Sequence, residues 1–93
     1  MTTLTAIIKA RAGHEAEVRS ELLKVVQFAR SQEPGTTAYE LIESDDPSIF
    51  ITWESYKDRA AMEAHNKAGA VSDFVDATKG KIEGIEIHIG EPL

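Results

Sequence analysis

Residues 33–56, EPGTTAYELIESDDPSIFITWESY, contain the turn and strand signals that decide the fold. Glu33-Pro34-Gly35 ends a preceding helix, because proline cannot continue a helix and glycine allows a sharp turn. Two runs with the period-two alternation of β-strands follow, over about 37–43 and 49–54. The turn-forming residues 44–48 separate them. The stretch therefore predicts a helix stop followed by two strands that are joined by a short turn.

The segments before this stretch predict a strand and a long amphipathic helix. Residues 3–10 alternate as a strand does, and Gly13 breaks the pattern. From about 14 to 32, the apolar residues recur on one helical face. These residues are Val18, Leu22, Val25, Val26 and Ala29.

The segments after the stretch predict two short helices and a last strand. Ser55 has the spacing of an N-cap for a helix that Gly69 is expected to end. Residues 71–78 have helical spacing up to a stop at Gly80. Residues 83–89 alternate as a strand does, with isoleucine at every second position from 85.

The order of these elements, β-α-β-β-α(α)-β, is the split βαβ pattern. It predicts a single α+β, ferredoxin-like domain over residues 1–93, with a four-stranded antiparallel sheet and helices on one face. The third strand carries apolar side chains on both faces, with Ile51 and Trp53 on one and Phe50 on the other. A chain this short buries only about 60–65% of its unfolded surface. We therefore expect a homodimer that packs through the uncovered sheet face.

Composition and charge disfavour several classes of protein. The chain has 10 basic and 16 acidic residues, a formal net charge of −6, which disfavours binding to nucleic acid and to anionic membranes. It has no cysteine, and no spacing typical of a zinc, calcium, nucleotide or flavin site, so we expect no metal and no cofactor. No apolar run approaches the roughly 20 residues that span a bilayer, and no secretory signal is visible, so we expect a cytoplasmic protein.

Four segments resemble one known family. They are Tyr39-Glu40-Leu41 after the first turn, Trp53-Glu54-Ser55-Tyr56 at the end of the third strand, the helical A-x-x-x-H of Ala61 to His65, and the final Glu91-Pro92-Leu93. In this order they resemble the antibiotic biosynthesis monooxygenase family of dimeric α/β barrels, which includes quinol monooxygenases. The resemblance implies a homodimer and an oxygenase that needs no cofactor. Haem-degrading members have an asparagine on the first strand, which residues 3–10 lack, so haem degradation is disfavoured.

His65 is the first candidate for a catalytic role. Ala61, Met62 and Ala68 lie three or four positions from it, so its imidazole is predicted to share an apolar helical face and to point towards the sheet. An imidazole titrates near neutral pH and can act as a general base or acid. The alternative is a core histidine that is hydrogen-bonded to a backbone carbonyl.

Four further side chains are candidates for the same site. Trp53 could line an aromatic pocket and donate its indole N–H, or it could lie at the dimer face. Tyr56 and Tyr39 could each donate to a phenolate oxygen, or pack with the hydroxyl at the surface. Glu54 could orient His65 or bind a substrate hydroxyl, or it could cap the next helix or form an interfacial ion pair.

An apolar pocket between the helices and the sheet would hold a flat aromatic substrate. Its predicted walls are Met62, Phe74, Leu22, Val26 and Ile51. Within this pocket, ionisation by a base lets an electron-rich phenolate react with oxygen without a metal or flavin. The resemblance and His65 together predict a monooxygenase that oxidises a quinol, polyphenol or polyketide-like aromatic with molecular oxygen. Two alternatives are open: a non-catalytic dimeric module for small-ligand binding or stress response, and an isomerase or lyase that uses the same pocket.

Overall fold

A four-stranded antiparallel sheet carries three helices on one of its faces. The structure is a computed structural model that describes all residues, 1–93. Its elements in chain order are β1 (Thr2–Ala10), α1 (Glu15–Gln32), β2 (Thr36–Glu43), β3 (Ile49–Tyr56), α2 (Arg59–Asn66), α3 (Gly69–Ala77) and β4 (Ile82–Gly90). The strand order is β2-β3-β1-β4, and every neighbouring pair is antiparallel. This architecture confirms the predicted ferredoxin-like α+β fold.

One face of the sheet and one face of α1 form the core. On β1, Leu4, Ala6 and Ile8 are buried, while the intervening side chains are less enclosed. The apolar stripe of α1 is buried against them, as its spacing predicted. The buried apolar side chains of sheet and helices form one cluster of 14 residues. No helix of the chain combines the length and apolar character that crossing a membrane requires.

The boundary between β3 and α2 differs from the prediction. β3 extends to Tyr56, and Ser55 is a strand residue that pairs with Thr3 and Ala38 rather than a helix N-cap. The N-cap is Asp58, whose Oδ1 accepts a hydrogen bond of 2.8 Å from the backbone N–H of Ala61. Both positions have capping chemistry, and pairing with two neighbouring strands keeps Ser55 in the sheet.

The boundary between α2 and α3 also differs. Gly69 begins α3 and does not end α2, which stops at Asn66. The chain leaves the helical region at Ala68, with φ −67° and ψ 150°, so the change of direction precedes the glycine. Gly80 lies in the turn after α3 with a φ of +77°, a conformation that favours glycine.

The two faces of the sheet have different neighbours. Phe50, Thr52 and Glu54 of β3 are buried under the helices, whereas Ile51 and Trp53 point to the uncovered face. The prediction that Ile51 forms a wall of the pocket between helices and sheet is therefore wrong. The error arises because β3 has apolar side chains on both faces, so its alternation does not reveal which face meets the helices.

Candidate active site

His65 is held in the interior where α2 crosses the sheet. The residue is 4% exposed, and its imidazole faces the sheet, as the helical spacing predicted. The ring centroid lies 5.3 Å from that of Tyr39 on β2 and 5.6 Å from that of Tyr56 on β3. The imidazole therefore lies beside two aromatic rings from adjacent strands.

Two carboxylates flank this imidazole. Nδ1 of His65 lies 2.7 Å from Oε1 of Glu33, which occupies the C-terminal cap position of α1. Nε2 lies 3.8 Å from Oε1 of Glu54 on β3. The side chains of His65 and Glu54 are each 4% exposed and that of Glu33 is 13% exposed. Because a carboxylate only accepts hydrogen bonds, Nδ1 donates to Glu33. In the neutral tautomer that this contact selects, Nε2 holds the lone pair of the ring.

Glu54 is fixed by hydrogen bonds from its own strand. The Thr52 hydroxyl donates to Oε2 over 2.6 Å, and the Tyr56 hydroxyl donates to Oε1. Thr52 Oγ1 in turn accepts a hydrogen bond of 3.0 Å from the backbone N–H of Ala6 on β1. Buried carboxylates are tolerated where such donors satisfy them. The carboxylate is therefore held in one orientation against the imidazole.

Both tyrosines of the site are held in their protonated form. Burial raises the pKa of Tyr39, and the negative charge of Glu54 raises it further. Burial also raises the pKa of Tyr56, with a further contribution from its hydrogen bond to Glu54. The two phenols therefore act as hydrogen-bond donors over the physiological pH range.

An apolar cavity adjoins this cluster. It has a volume of about 180 Å³ and lies between the sheet and the helices. Eleven of its fifteen lining residues are hydrophobic, and the polar exceptions are Thr52, Glu54, His65 and Asn66. Ile85 and Ile87 of the edge strand β4 line its rim and are 50% and 55% exposed. A small flat molecule in this cavity would contact apolar walls and the side of the imidazole that faces Glu54.

A second, outer groove reaches the same histidine from the other side. It has a volume of about 370 Å³ and lies where the turn after α1 meets α2. Glu33, Lys57 and His65 are among its lining residues. His65 therefore separates an apolar cavity from a groove at the surface.

The structure brings together some of the predicted site residues and separates others. Five of the predicted residues line the cavity: Leu22, Tyr39, Glu54, His65 and Phe74. Tyr56 does not line it but donates a hydrogen bond to Glu54, which does.

The other predicted residues lie elsewhere. Met62 and Val26 are buried in the core but do not line the cavity. Trp53 is 47% exposed on the opposite face of the sheet, like Ile51, so its indole cannot donate to a molecule in this cavity. The hydroxyl of Tyr56 is already donated to Glu54. Tyr39 is 5% exposed, so its hydroxyl is not at the surface.

Sequence reasoning missed Glu33 and Thr52. Glu33 was interpreted only as part of a helix stop, although a negative charge at a helix C-terminus opposes the helix dipole. Such a local conflict is a signal of function, and here the carboxylate accepts a hydrogen bond from His65. Thr52 carried no comparable signal, because a threonine in a strand needs no explanation. No group of three or more potential metal ligands is clustered in the structure.

The fold and the site define a small ferredoxin-like domain in which a buried histidine lies between two carboxylates at the wall of an apolar cavity. The family model of antibiotic biosynthesis monooxygenases matches residues 1–77. The chain belongs to the antibiotic biosynthesis monooxygenase family.

Individual relatives agree with this assignment. “Putative monooxygenase YcnE” from Bacillus subtilis (strain 168) is 37% identical over 82 residues, which cover 87% of this chain and 83% of YcnE. The crystal structure of PA3566 from Pseudomonas aeruginosa matches with a TM-score of 0.92 and 28% identity, over 99% of this chain and 93% of that one. A “putative antibiotic biosynthesis monooxygenase” from Deinococcus radiodurans matches with a TM-score of 0.90 and 28% identity, over 99% and 92% of the two chains.

Proposed function

We propose that this protein is a monooxygenase that oxidises a small quinol or polyphenol with molecular oxygen and without a cofactor. The observation that carries the proposal is the position of His65 at the wall of an apolar cavity, with Nδ1 held by Glu33 so that Nε2 is the nitrogen that can act as a base. A base in a water-poor site is what ionisation of a phenol requires. Family membership supports the reaction class.

The chemistry begins with proton transfer to His65. Nε2 removes the phenolic proton of the quinol, and the resulting phenolate is electron-rich enough to give one electron to oxygen. The radical pair combines to a peroxide anion on the ring, which takes back one proton to become the hydroperoxide, and loss of water leaves a carbonyl. For a hydroquinone the balance is one quinol plus one dioxygen to one hydroxyquinone plus one water, so the substrate supplies every electron. Tyr39, which stays protonated, is the candidate donor to the developing oxyanion.

The size of the cavity favours a one-ring substrate. Sites for drug-sized ligands have volumes of about 300–1,000 Å³, whereas this cavity holds about 180 Å³. We therefore propose a monocyclic quinol in preference to a fused polyketide. The isomerase or lyase alternative is weaker for an anionic substrate, because no lysine or arginine lines the cavity.

We also propose that the protein is a homodimer that packs through the uncovered sheet face. Trp53, Ile51 and Ile7 lie side by side on that face, and Ile42 of β2, which pairs with Ile51, is 43% exposed. Burial of such an apolar patch in a partner is favourable. A cytoplasmic location stays a prediction from the sequence.

Oxygen consumption tests the proposed activity. The purified protein, treated with a chelator and free of flavin, is assayed against monocyclic hydroquinones and a larger anthrone, with product analysis by mass spectrometry. We expect uptake with a hydroquinone, one oxygen atom in the product, and a loss of about 10²–10⁴-fold in His65→Ala. His14→Ala is the matched control, because the side chain of His14 is 40% exposed and the residue lies at the start of α1.

Two results would contradict the proposal. Uptake that yields hydrogen peroxide in place of an oxygenated product would define an oxidase. Ligand binding in the cavity without any uptake would favour the non-catalytic binding module.

A further inference from the structure

His65 is the only residue that lines both the apolar cavity and the outer groove. We propose that Glu33 and His65 form a proton path between these two spaces, in which Glu33 is the positioning residue that passes the proton to and from water. The inference rests on the proposed function, because a proton path is needed only if a proton leaves a molecule in the cavity.

The two ring nitrogens of His65 face the two ends of the proposed proton path. Nδ1 lies 2.7 Å from Oε1 of Glu33 on the groove side. Nε2 is on the other side of the ring, next to Glu54, and both His65 and Glu54 line the cavity. A proton that arrives at one nitrogen can therefore leave from the other without rotation of the ring.

Glu33 has a position from which a proton can be exchanged. Its Oε1 accepts hydrogen bonds from His65 and from the Thr36 hydroxyl, at 2.9 Å in the second case. Its Oε2 is the one buried side-chain polar atom of the chain that has no hydrogen-bond partner in the protein. A proton on Glu33 can therefore occupy Oε2 without breaking an existing bond, while the side chain, which is 13% exposed, meets the groove. Both Glu33 and Lys57 line the groove.

Glu54 does not offer the same path. Its two oxygens accept from Thr52 and Tyr56, and the residue is 3% exposed. It does not line the outer groove. Glu54 therefore faces the developing imidazolium and favours its charge, while Glu33 moves the proton.

Each proton in the path is accounted for. The substrate O–H gives its proton to Nε2, Nδ1 gives its proton to Glu33, and Glu33 gives it to water in the groove. When the peroxide anion on the ring becomes the hydroperoxide, the same steps run in reverse and return one proton to the cavity, and the later loss of water needs no further net proton. The net reaction therefore releases no proton. The other groups that face the ring are the phenols of Tyr39 and Tyr56, and Lys57 is the cation of the groove.

Nuclear magnetic resonance of the ring N–H tests the path without any substrate. In 15N-labelled wild type we expect the proton of His65 on Nδ1, exchanging with water. Glu33→Gln keeps an oxygen that can accept from Nδ1 but cannot carry a proton, so the same tautomer should exchange about tenfold more slowly. Glu33→Asp, which retains a carboxylate, should recover part of the rate. Glu63→Gln on the exposed side of α2 is the matched control and should exchange as wild type does.

Steady-state kinetics provide a second test of the proton path. With a substrate that supports oxygen uptake, Glu33→Gln should lower kcat by about tenfold or more, leave KM unchanged, and recover with rising concentration of a small buffer. A merely structural role would not give buffer rescue. An unchanged exchange rate in Glu33→Gln with the tautomer retained would overturn the path, even if oxygen uptake is found. Slowed exchange without uptake by any quinol would contradict the proposed function and leave the path standing.

Discussion

Oε1 of Glu33 and Nδ1 of His65 lie 2.7 Å apart although 32 positions separate the two residues in the sequence. The contact depends on a close approach of the turn after α1 to the helix α2. A Cβ atom on Gly35 would lie 2.7 Å from Cβ of Ala61, one turn before His65, which is closer than such atoms can come. The absence of a side chain at Gly35 therefore allows α2 to bring His65 to Glu33.

Gly35→Ala is expected to destabilise the protein and to disturb the histidine contact. The added methyl group forces α2 away from the turn, and overpacking of this kind costs about 1–3 kcal/mol. For a domain of this size, each kcal/mol lowers Tm by about 4–8 °C. Thermal unfolding measures the loss, and the ring N–H signal of His65 reports the contact.

Two control variants test whether the effect comes from the contact between Gly35 and Ala61. A Cβ atom on Gly84 in β4 would meet nothing within 4 Å, so Gly84→Ala should have little effect on Tm. The double variant Gly35→Ala/Ala61→Gly removes the clash and should recover most of the loss, apart from about 0.5–1 kcal/mol for a glycine in a helix. Equal stability of Gly35→Ala and Gly84→Ala would contradict the close approach.

Tyr56→Phe is expected to destabilise the protein through Glu54. The variant keeps the ring but removes the hydroxyl that donates to the buried carboxylate. A buried acceptor that loses its donor costs about 1–3 kcal/mol. Chemical denaturation measures the change in the free energy of unfolding.

A double-mutant cycle tests whether Glu54 is the group that the Tyr56 hydroxyl stabilises. In a Glu54→Gln background the carboxylate charge is absent, so the cost of Tyr56→Phe should fall, with a coupling of about 0.5–3 kcal/mol. Additive effects of the two substitutions would mean that the hydroxyl stabilises something other than Glu54.

Periodicity was sufficient to predict most of the fold. The stripe of α1 and the alternation of β1 each have one apolar face, so the pattern alone defines which side is buried. β3 has apolar residues on both sides, and the helix-facing side is settled only by contacts with distant elements. That ambiguity led to Ile51 being assigned to a wall of the cavity, and it left open whether Trp53 lies at the cavity or at the dimer face.

The site was less predictable than the fold because its contacts are long-range. His65 could be identified from its own helix, since its apolar neighbours lie within one turn. Its partners come from the end of α1 and from β3, and no local pattern links Glu33 or Thr52 to a histidine on α2. Such side-chain pairs follow from the packing of elements and not from the spacing of residues along one of them.

Alkaline pH is expected to unfold the protein through its two tyrosines. Tyr39 and Tyr56 have a raised pKa in the folded state, whereas in the unfolded chain a tyrosine ionises near pH 10. The unfolded chain therefore loses protons first, so stability is fully present below about pH 10 and declines above it, by about 1.4 kcal/mol per pH unit for each tyrosine.

Phenolate absorbance measures this directly, because the chain has only 2 tyrosines. We expect both to ionise together with loss of the folded circular dichroism signal. Tyr39→Phe should halve the pH dependence of stability that the pair produces above pH 10. Ionisation of either phenol near pH 10 in the folded protein would contradict the burial of that side chain.

Trp53→Glu is expected to prevent dimerisation while leaving the cavity intact. Trp53 pairs with Glu40 across the uncovered sheet face, so the variant puts two negative charges together where the proposed partner packs. Loss of a tryptophan at the centre of an interface costs about 2 kcal/mol or more, which raises the dimer Kd by about 30-fold. Analytical ultracentrifugation over a concentration series measures the shift in the dimer Kd.

Leu23→Glu is the matched control, because Leu23 is 43% exposed on α1, in the helix layer. If both variants dimerise equally well, the dimer interface lies elsewhere on the protein. If the ring N–H signal of His65 is unchanged in Trp53→Glu, the substitution on the uncovered face does not disturb the site on the helix-covered face.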